Sequence, residues 1–238
     1  MTQAYYNGFY KELSKIDAKG NSFEKIRTIL PGLEGGESIL DIGCGYGTVS
    51  HDLVKQGYAV SGIEINEDAI AVLSQKGFKV IRQDITSEFL IDAQFDIILI
   101  LDVLEHIFDP LALLERAKIH LKETGTIIIS VPLYFDIVDR IRILFTGKIV
   151  SYDNRCYGET LYGRFRSFNY DHIRFFQPSD VLEMLHLSGL RPTKIQYVPI
   201  HWDGSNRFLK KIIRLFGSPW LARQWPTLFE HSMLIRAE

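Results

Sequence analysis

The chain alternates short apolar runs with segments whose apolar positions recur every three or four residues. The runs cover residues 38–42, 58–64, 78–84, 95–101 and 126–131. Their length and their Ile, Val and Leu content suit strands buried on both faces of a parallel sheet. Between them, residues 48–56 set Val49, Leu53 and Val54 on one helical face, and residues 66–76 predict a second helix. Asp109 ahead of Pro110 supplies an N-cap and a first-turn residue for a helix over 111–121. Gly125 precedes the fifth run and Pro132 closes it. Strands alternating with helices imply right-handed crossovers and a doubly wound, mostly parallel sheet of the α/β class. Residues 190–198 and 228–236 predict a sixth and a seventh strand, preceded by a helix that Gln177 and Pro178 open and Gly189 ends. At 238 residues, 46 % of them apolar, the chain suits one large domain with a sizeable core.

Past residue 133 the pattern changes. Residues 134–145 predict an amphipathic helix with Phe135, Ile137, Ile141, Leu144 and Phe145 among its apolar positions. Residues 148–170 have no period and are rich in Tyr, Arg and Gly. A loop of that length is usually a functional lid or disordered, and its aromatic content argues against disorder. It is therefore expected to be a cap inserted after the fifth strand; a hairpin packed for stability is the plainer alternative. Residues 2–19, with Tyr5, Tyr6, Phe9 and Tyr10, either pack on the domain edge or fold over a ligand as a lid. The expected divisions are thus 1–36 for N-terminal helices, 37–133 for the nucleotide-binding core, 134–176 for the cap and 177–238 for the rest of the sheet.

Charge sharpens this division. Residues 1–134 hold 12 basic and 19 acidic residues, a net of −7, whereas residues 135–238 hold 15 and 10, a net of +5. The overall −2 argues against a general nucleic-acid binder. Cys44 and Cys156 lie far apart and suggest neither a disulfide framework nor a metal cluster. The N-terminus lacks the regions of a signal peptide, and no uncharged apolar run reaches the roughly 18 residues of a membrane span. A cytoplasmic protein is the resulting expectation. Residues 208–216 form an amphipathic stretch with Lys210, Lys211 and Arg214 on its polar side, which fits a helix packed on its own sheet and, as a second reading, weak contact with anionic lipid headgroups.

The chemistry concentrates after the strands. Gly43, Gly45 and Gly47 join the first run to its helix, and glycines there let backbone approach a ligand where a Cβ would collide. Glu64 ends the second run 23 residues after Asp41, close to the roughly 20-residue spacing at which a carboxylate meets ribose hydroxyls. Capping of the next helix is the alternative for Glu64. Asp84 ends the third run, where it could accept from an adenine amino group with Ile85 against the ring, or else cap a turn. The fourth run leads into Asp102, Val103, Leu104, Glu105 and His106. All of these fall at the carboxyl edge of the predicted sheet, where ligands of doubly wound folds bind.

Leu40-Asp41-Ile42-Gly43-Cys44-Gly45-Tyr46-Gly47 resembles the first motif of class I S-adenosylmethionine-dependent methyltransferases. The segment from Asp102 to His106, followed by Asp109-Pro110, resembles the small-molecule branch that includes ubiquinone-type O-methyltransferases, and residues 172–176 extend the likeness more weakly. The resemblance implies a Rossmann-like methyltransferase fold with an antiparallel seventh strand between the fifth and sixth. It implies S-adenosylmethionine as methyl donor and S-adenosylhomocysteine as product; no metal is expected, since no compact carboxylate cluster stands out. The donor would meet Asp41, Gly43, Cys44, Gly45, Tyr46, Gly47, Glu64, Ile65, Asp84, Ile85, Leu101, Asp102 and Val103. The loop chemistry agrees. A pyrophosphate-binding turn usually reads G-x-G-x-x-G, whereas this chain has G-x-G-x-G behind an aspartate, which suits a ligand with a cationic end and no phosphate. A dinucleotide oxidoreductase is the weaker alternative, and a non-catalytic S-adenosylmethionine-binding protein is the non-enzyme one. For transfer to oxygen, His106 is the first candidate base, with a helix-start hydrogen bond as its structural alternative, and His172 is the second. Tyr6, Tyr134, Tyr152, Tyr157, Tyr162 and Arg166 are the candidate acceptor-binding residues. The basic, aromatic second part suggests an anionic, partly apolar acceptor, either a small molecule or one linked to a lipid.

Overall fold

The computed structural model describes residues 26–30, 36–89, 91–147, 172–199 and 224–238. The five apolar runs form parallel strands β1 (Ser38–Ile42), β2 (Ala59–Glu64), β3 (Lys79–Arg82), β4 (Phe95–Leu101) and β5 (Leu121–Pro132). Between them lie helices α1 (Thr48–Lys55), α2 (Glu67–Gln75) and α3 (Pro110–Ile119), and α4 (Ile137–Thr146) follows β5. Helix α5 (Pro178–Leu187) precedes β6 (Pro192–Pro199), and the short α6 (Pro226–Phe229) leads into β7 (Glu230–Ala237). The sheet order is β3-β2-β1-β4-β5-β7-β6, with β7 antiparallel to both of its neighbours. The doubly wound, mostly parallel seven-stranded sheet expected from the sequence is therefore present, with the antiparallel strand in its expected place.

Strand periodicity sorts the core onto two faces. Ile98 and Ile100 of β4 join Ile127 and Ile129 of β5 beneath Leu113 and Leu114 of α3 and Val181 and Leu185 of α5. Ile97 and Leu99 point the other way, towards Leu53 of α1 and the buried Ile26 and Ile29 of the N-terminal segment. At the amino edge Asp96 ties three strands together. It accepts hydrogen bonds from Ser38 N and Oγ of β1 at 2.8 and 2.7 Å and from Lys122 Nζ of β5 at 2.8 Å. These partners hold its carboxyl down at about 2.

Two boundaries differ from the sequence reading by three residues or more. Strand β5 begins at Leu121, five residues before the predicted start, because Phe95 pairs with Leu121 and the register then shifts so that Ile97 pairs with Thr126. Gly125 sits within that irregularity, where a Cβ would lie 2.8 Å from Leu121 Cδ1. Helix α4 begins at Ile137 rather than at Tyr134, since Phe135 takes φ 63° and Arg140 N bonds Asp136 O as the first helical turn. Part of the predicted cap (148–171), most of the N-terminal segment (1–25) and the basic stretch at 208–216 lie outside the described residues. Among the described residues, no helix is long and apolar enough to cross a membrane.

Gly62 of β2 shows how tightly the sheet meets the glycine turn above it. A Cβ there would lie 2.5 Å from Cys44 Sγ and 3.3 Å from Phe78 Cε1. Gly62→Ala is expected to lower stability by about 1–3 kcal/mol through overpacking. In a Cys44→Ala background, which removes the sulfur, most of that loss should be recovered. Urea unfolding of the four proteins measures the coupling, and an equal loss in both backgrounds would place the crowding elsewhere.

Candidate functional site

The turn after β1 depends on left-handed backbone. Gly43, Gly45 and Gly47 have φ of 73°, 52° and 72°, a region that residues with a Cβ rarely enter. Space is short as well: a Cβ at Gly43 would lie 2.9 Å from Val103 Cγ2 and 3.9 Å from Ile85 Cδ1, and one at Gly47 would lie 2.5 Å from Leu73 Cδ2. The turn after β1, the loop after β3 and the segment after β4 therefore converge at Gly43. Gly43, Ile85 and Val103, drawn from three separate stretches of the sequence, form one floor at the carboxyl edge of the sheet, with Asp41 buried two residues before Gly43.

Two buried carboxylates brace this floor. Glu64, at the end of β2, accepts from Gly45 N at 2.9 Å through Oε2 and from Ile65 N and Asn66 N, both at 2.7 Å, through Oε1. Its predicted alternative, capping α2, falls instead to Asn66, whose Oδ1 accepts from Ala69 N at 2.9 Å. Asp41 is buried and accepts from Ser50 Oγ in α1. Burial pushes its carboxyl up to about 6; the Ser50 hydrogen bond pulls it down and the neighbouring Glu64 charge adds to the rise. Burial also raises the Cys44 thiol, with Asp41 and Glu64 contributing, so Cys44 is a packing residue rather than a thiolate. Tyr46 is raised too, first by burial and then by the Asp68 and Glu64 charges.

Asp84 is exposed. Its Oδ1 accepts from Thr86 N at 2.8 Å and Thr86 Oγ1 at 2.6 Å, so it does cap a turn. Asp102 follows half-buried Leu101 at φ 52°, a conformation an aspartate tolerates better than most residues. Its N bonds Ser130 O at 3.0 Å, and its side chain accepts from Ser130 Oγ, which fixes the end of β4 against β5.

A second cluster lies beside this floor. Leu104, Glu105 and His106 form a single 3₁₀ turn, and Glu105 O accepts from Ile173 N at 2.9 Å and Arg174 N at 3.1 Å. These bonds bring His172 over the turn. The His106 and His172 rings meet edge to face at 4.6 Å between centroids, and Tyr134 packs on His172 at 5.5 Å. Glu105 Oε1 lies 4.0 Å from His106 Nε2 and 3.9 Å from His172 Nε2. Burial, with a smaller push from His106, holds His172 down at about 3, so it is neutral in the physiological range. Phe175 stacks on Phe135 and meets Tyr134 edge-on, completing an aromatic wall.

Thus both candidate bases and Tyr134 come together, joined by Glu105, which the sequence reading placed at the ligand edge without a role of its own. The link from Glu105 to His172 spans 67 positions, and no local signal announces it. One ligand atom from each of Glu105, His106 and His172 fits within 4.8 Å, so these three could hold a divalent ion, with one carboxylate and two imidazoles in place of a carboxylate cluster. Tyr6, Tyr152, Tyr157, Tyr162 and Arg166 lie outside the described residues.

Comparison with known proteins agrees with this fold. Residues 15–195 match the family model described as a methyltransferase domain, and the chain belongs to that family. It is an S-adenosylmethionine-dependent methyltransferase. Among curated relatives it is 28 % identical over 197 residues to a ubiquinone biosynthesis O-methyltransferase of Idiomarina loihiensis, a match covering 79 % of this chain and 74 % of the relative. Among solved structures it resembles an S-adenosylmethionine-dependent methyltransferase from Archaeoglobus fulgidus, with TM-score 0.61, 21 % identity and coverage of 94 % and 93 %. It also resembles the Burkholderia thailandensis 1,6-didemethyltoxoflavin-N1-methyltransferase, determined with 1,6-didemethyltoxoflavin and S-adenosylhomocysteine bound, with TM-score 0.63, 17 % identity and coverage of 99 % and 85 %.

The raised Asp41 carboxyl makes stability depend on pH in a defined direction. Its value of about 6 in the folded state lies above the ordinary aspartate value of 3.8, so the folded state favours the proton. That contribution is complete below 3.8 and is lost as pH rises through 6. Asp41→Asn keeps an oxygen for Ser50 and cannot ionise. Its melting temperature relative to the wild type should therefore climb between pH 4 and pH 6 and level off above pH 7. Thermal unfolding across that range measures it; a constant difference would mean that Asp41 is not held protonated by burial.

Proposed function

We propose that the chain transfers the methyl group of S-adenosylmethionine to an oxygen of a small-molecule or lipid-linked acceptor. The observation that carries this reading is the adjacency, at one sheet edge, of a floor shaped for the donor and a histidine cluster suited to deprotonating the acceptor. Glu64 has about one lone-pair site left after its three amide bonds, enough for a ribose hydroxyl. The Oδ2 atom of Asp84 is the acceptor for the adenine amino group, with Ile85 and Val103 against the ring. Gly43 to Gly47, with Asp41 beneath, meet the amino-acid end, and Leu101 and Asp102 close the donor side.

In the transfer, the acceptor oxygen attacks the methyl carbon in line with the carbon–sulfur bond. That bond breaks with its electron pair going to sulfur, leaving S-adenosylhomocysteine. The sulfonium is already activated, so the protein mainly supplies alignment and a water-poor site. His106, the more exposed of the two imidazoles, takes the acceptor's proton. Neutral His172 orients it, and Tyr134, with Tyr6, Tyr152, Tyr157, Tyr162 and Arg166 of the flanking segments, contacts the acceptor. The net +5 of residues 135–238 favours an anionic, partly apolar acceptor, and the O-methyltransferase named among the relatives is in keeping with transfer to oxygen.

Calorimetry with S-adenosylhomocysteine tests the donor site. Gly45→Val, which forces a β-branched residue to φ 52°, and Glu64→Ala should each weaken binding about tenfold or more, the scale of one or more hydrogen bonds to a charged group. Absence of binding by the wild type would refute the reading. His106→Ala should retain binding while lowering methyl transfer to an extract of candidate acceptors by about a hundredfold, the lower range for a general base.

A further inference from the structure

Helix α3 reaches across to the loop that follows β3, and its two contacts there have no part in the mechanism so far. Arg116, in the last turn of α3, donates from Nη2 to Ile85 O at 3.2 Å. His120, one turn further on and closing the helix, stacks on Phe89 with 5.4 Å between ring centroids and 20° between planes. The His120 Nε2 lies 3.4 Å from Phe89 O. The loop from Asp84 to Phe89 is thus gripped at both ends from residues four apart, which stand on one face of a helix. The Asp84–Thr86 turn straddles the first grip, where Ile85 lies beside Gly43 in the apolar cluster that includes Val103.

The Arg116 contact is not what a packing role alone would select. Its Nε is buried and makes no hydrogen bond, and a buried donor left unpaired costs stability. An apolar side chain of similar length would fill the space without that cost. What only a donor supplies is a fixed position for the Ile85 carbonyl, and with it the angle at which Ile85 and Asp84 face the pocket.

We propose that Arg116 and His120 are positioning residues that hold the Asp84–Phe89 loop in the shape that receives the adenine ring, so that α3 sets affinity for the nucleobase half of the methyl donor. This rests on the placement of adenine at Asp84 and Ile85 given above. It separates the donor site into two parts. The glycine turn and Glu64 answer for the ribose and amino-acid end, and α3 answers for the base.

The test compares two ligands by calorimetry: S-adenosylhomocysteine, and S-ribosylhomocysteine, which keeps the ribose and amino acid but lacks adenine. Arg116→Met should weaken S-adenosylhomocysteine about five- to tenfold, the worth of one hydrogen bond. It should leave S-ribosylhomocysteine bound as in the wild type, with the melting temperature unchanged or slightly raised. Arg116→Lys, whose amine can still donate to the Ile85 carbonyl, should recover part of the loss, and His120→Leu should show the same selectivity for the base-containing ligand. Equal weakening of both ligands, or no weakening of either, overturns the proposal. Failure of the wild type to bind S-adenosylhomocysteine at all would instead refute the donor site itself.

Discussion

The carboxylate of Glu64 is the constraint on which the ligand edge depends, because it joins two pieces of backbone that glycine alone would leave free. Three left-handed glycines at alternate positions are accessible to an unfolded chain at little steric cost, but that conformation is also easily lost. One Glu64 oxygen on Gly45 N and the other on the amides of residues 65 and 66 fix the turn after β1 to the start of α2. Charge-assisted bonds of this kind are stronger than neutral ones, and in a buried setting they are little weakened by water. The close approach of Gly43 to Val103 and of Gly47 to Leu73 then follows from where Glu64 holds the turn.

The parallel sheet turns this local constraint into a site. Strands that run the same way deliver all their loops to one edge, so β1, β2, β3 and β4 each add a loop to the same floor. The interior strands are apolar on both faces and carry little chemistry. Unusual backbone gathers at the edge instead: both non-glycine residues of positive φ among the described residues, Asp102 and Phe135, sit just beyond β4 and β5. Such conformations persist where surrounding contacts hold them. Ser130 holds Asp102, and stacking on Phe175 together with the Arg140 Nε bond to its carbonyl holds Phe135.

In the proposed reading, donor and acceptor functions separate along that edge. The donor side would rest on backbone amides and buried carboxylates, which suit a ligand that is always the same. The acceptor side would draw on Tyr134, Phe135, His172 and Phe175, which lie on segments after β5 where a change of loop length or composition need not disturb the sheet. That arrangement lets one fold serve many acceptors, and it explains why the chemistry of the donor is legible earlier than that of the acceptor.

The order of strands and helices, the glycine turn, and the acids at or just past the ends of β2 and β3 are legible in the residue pattern alone. Each is written as periodicity, a cap or a spacing of no more than 23 residues. Even the antiparallel β7 followed from likeness to a family. The packing of distant segments settles that Glu64 braces the turn while Asn66 caps α2, and that Glu105 gathers His106 and His172. It alone decided that Arg116 and His120 grip the loop after β3, and that Phe135 delays the start of α4. The physical reason is the same in each case. Patterns in a sequence report which face of an element is buried, whereas a hydrogen bond between distant segments depends on how those faces are stacked, and no local spacing encodes that stacking.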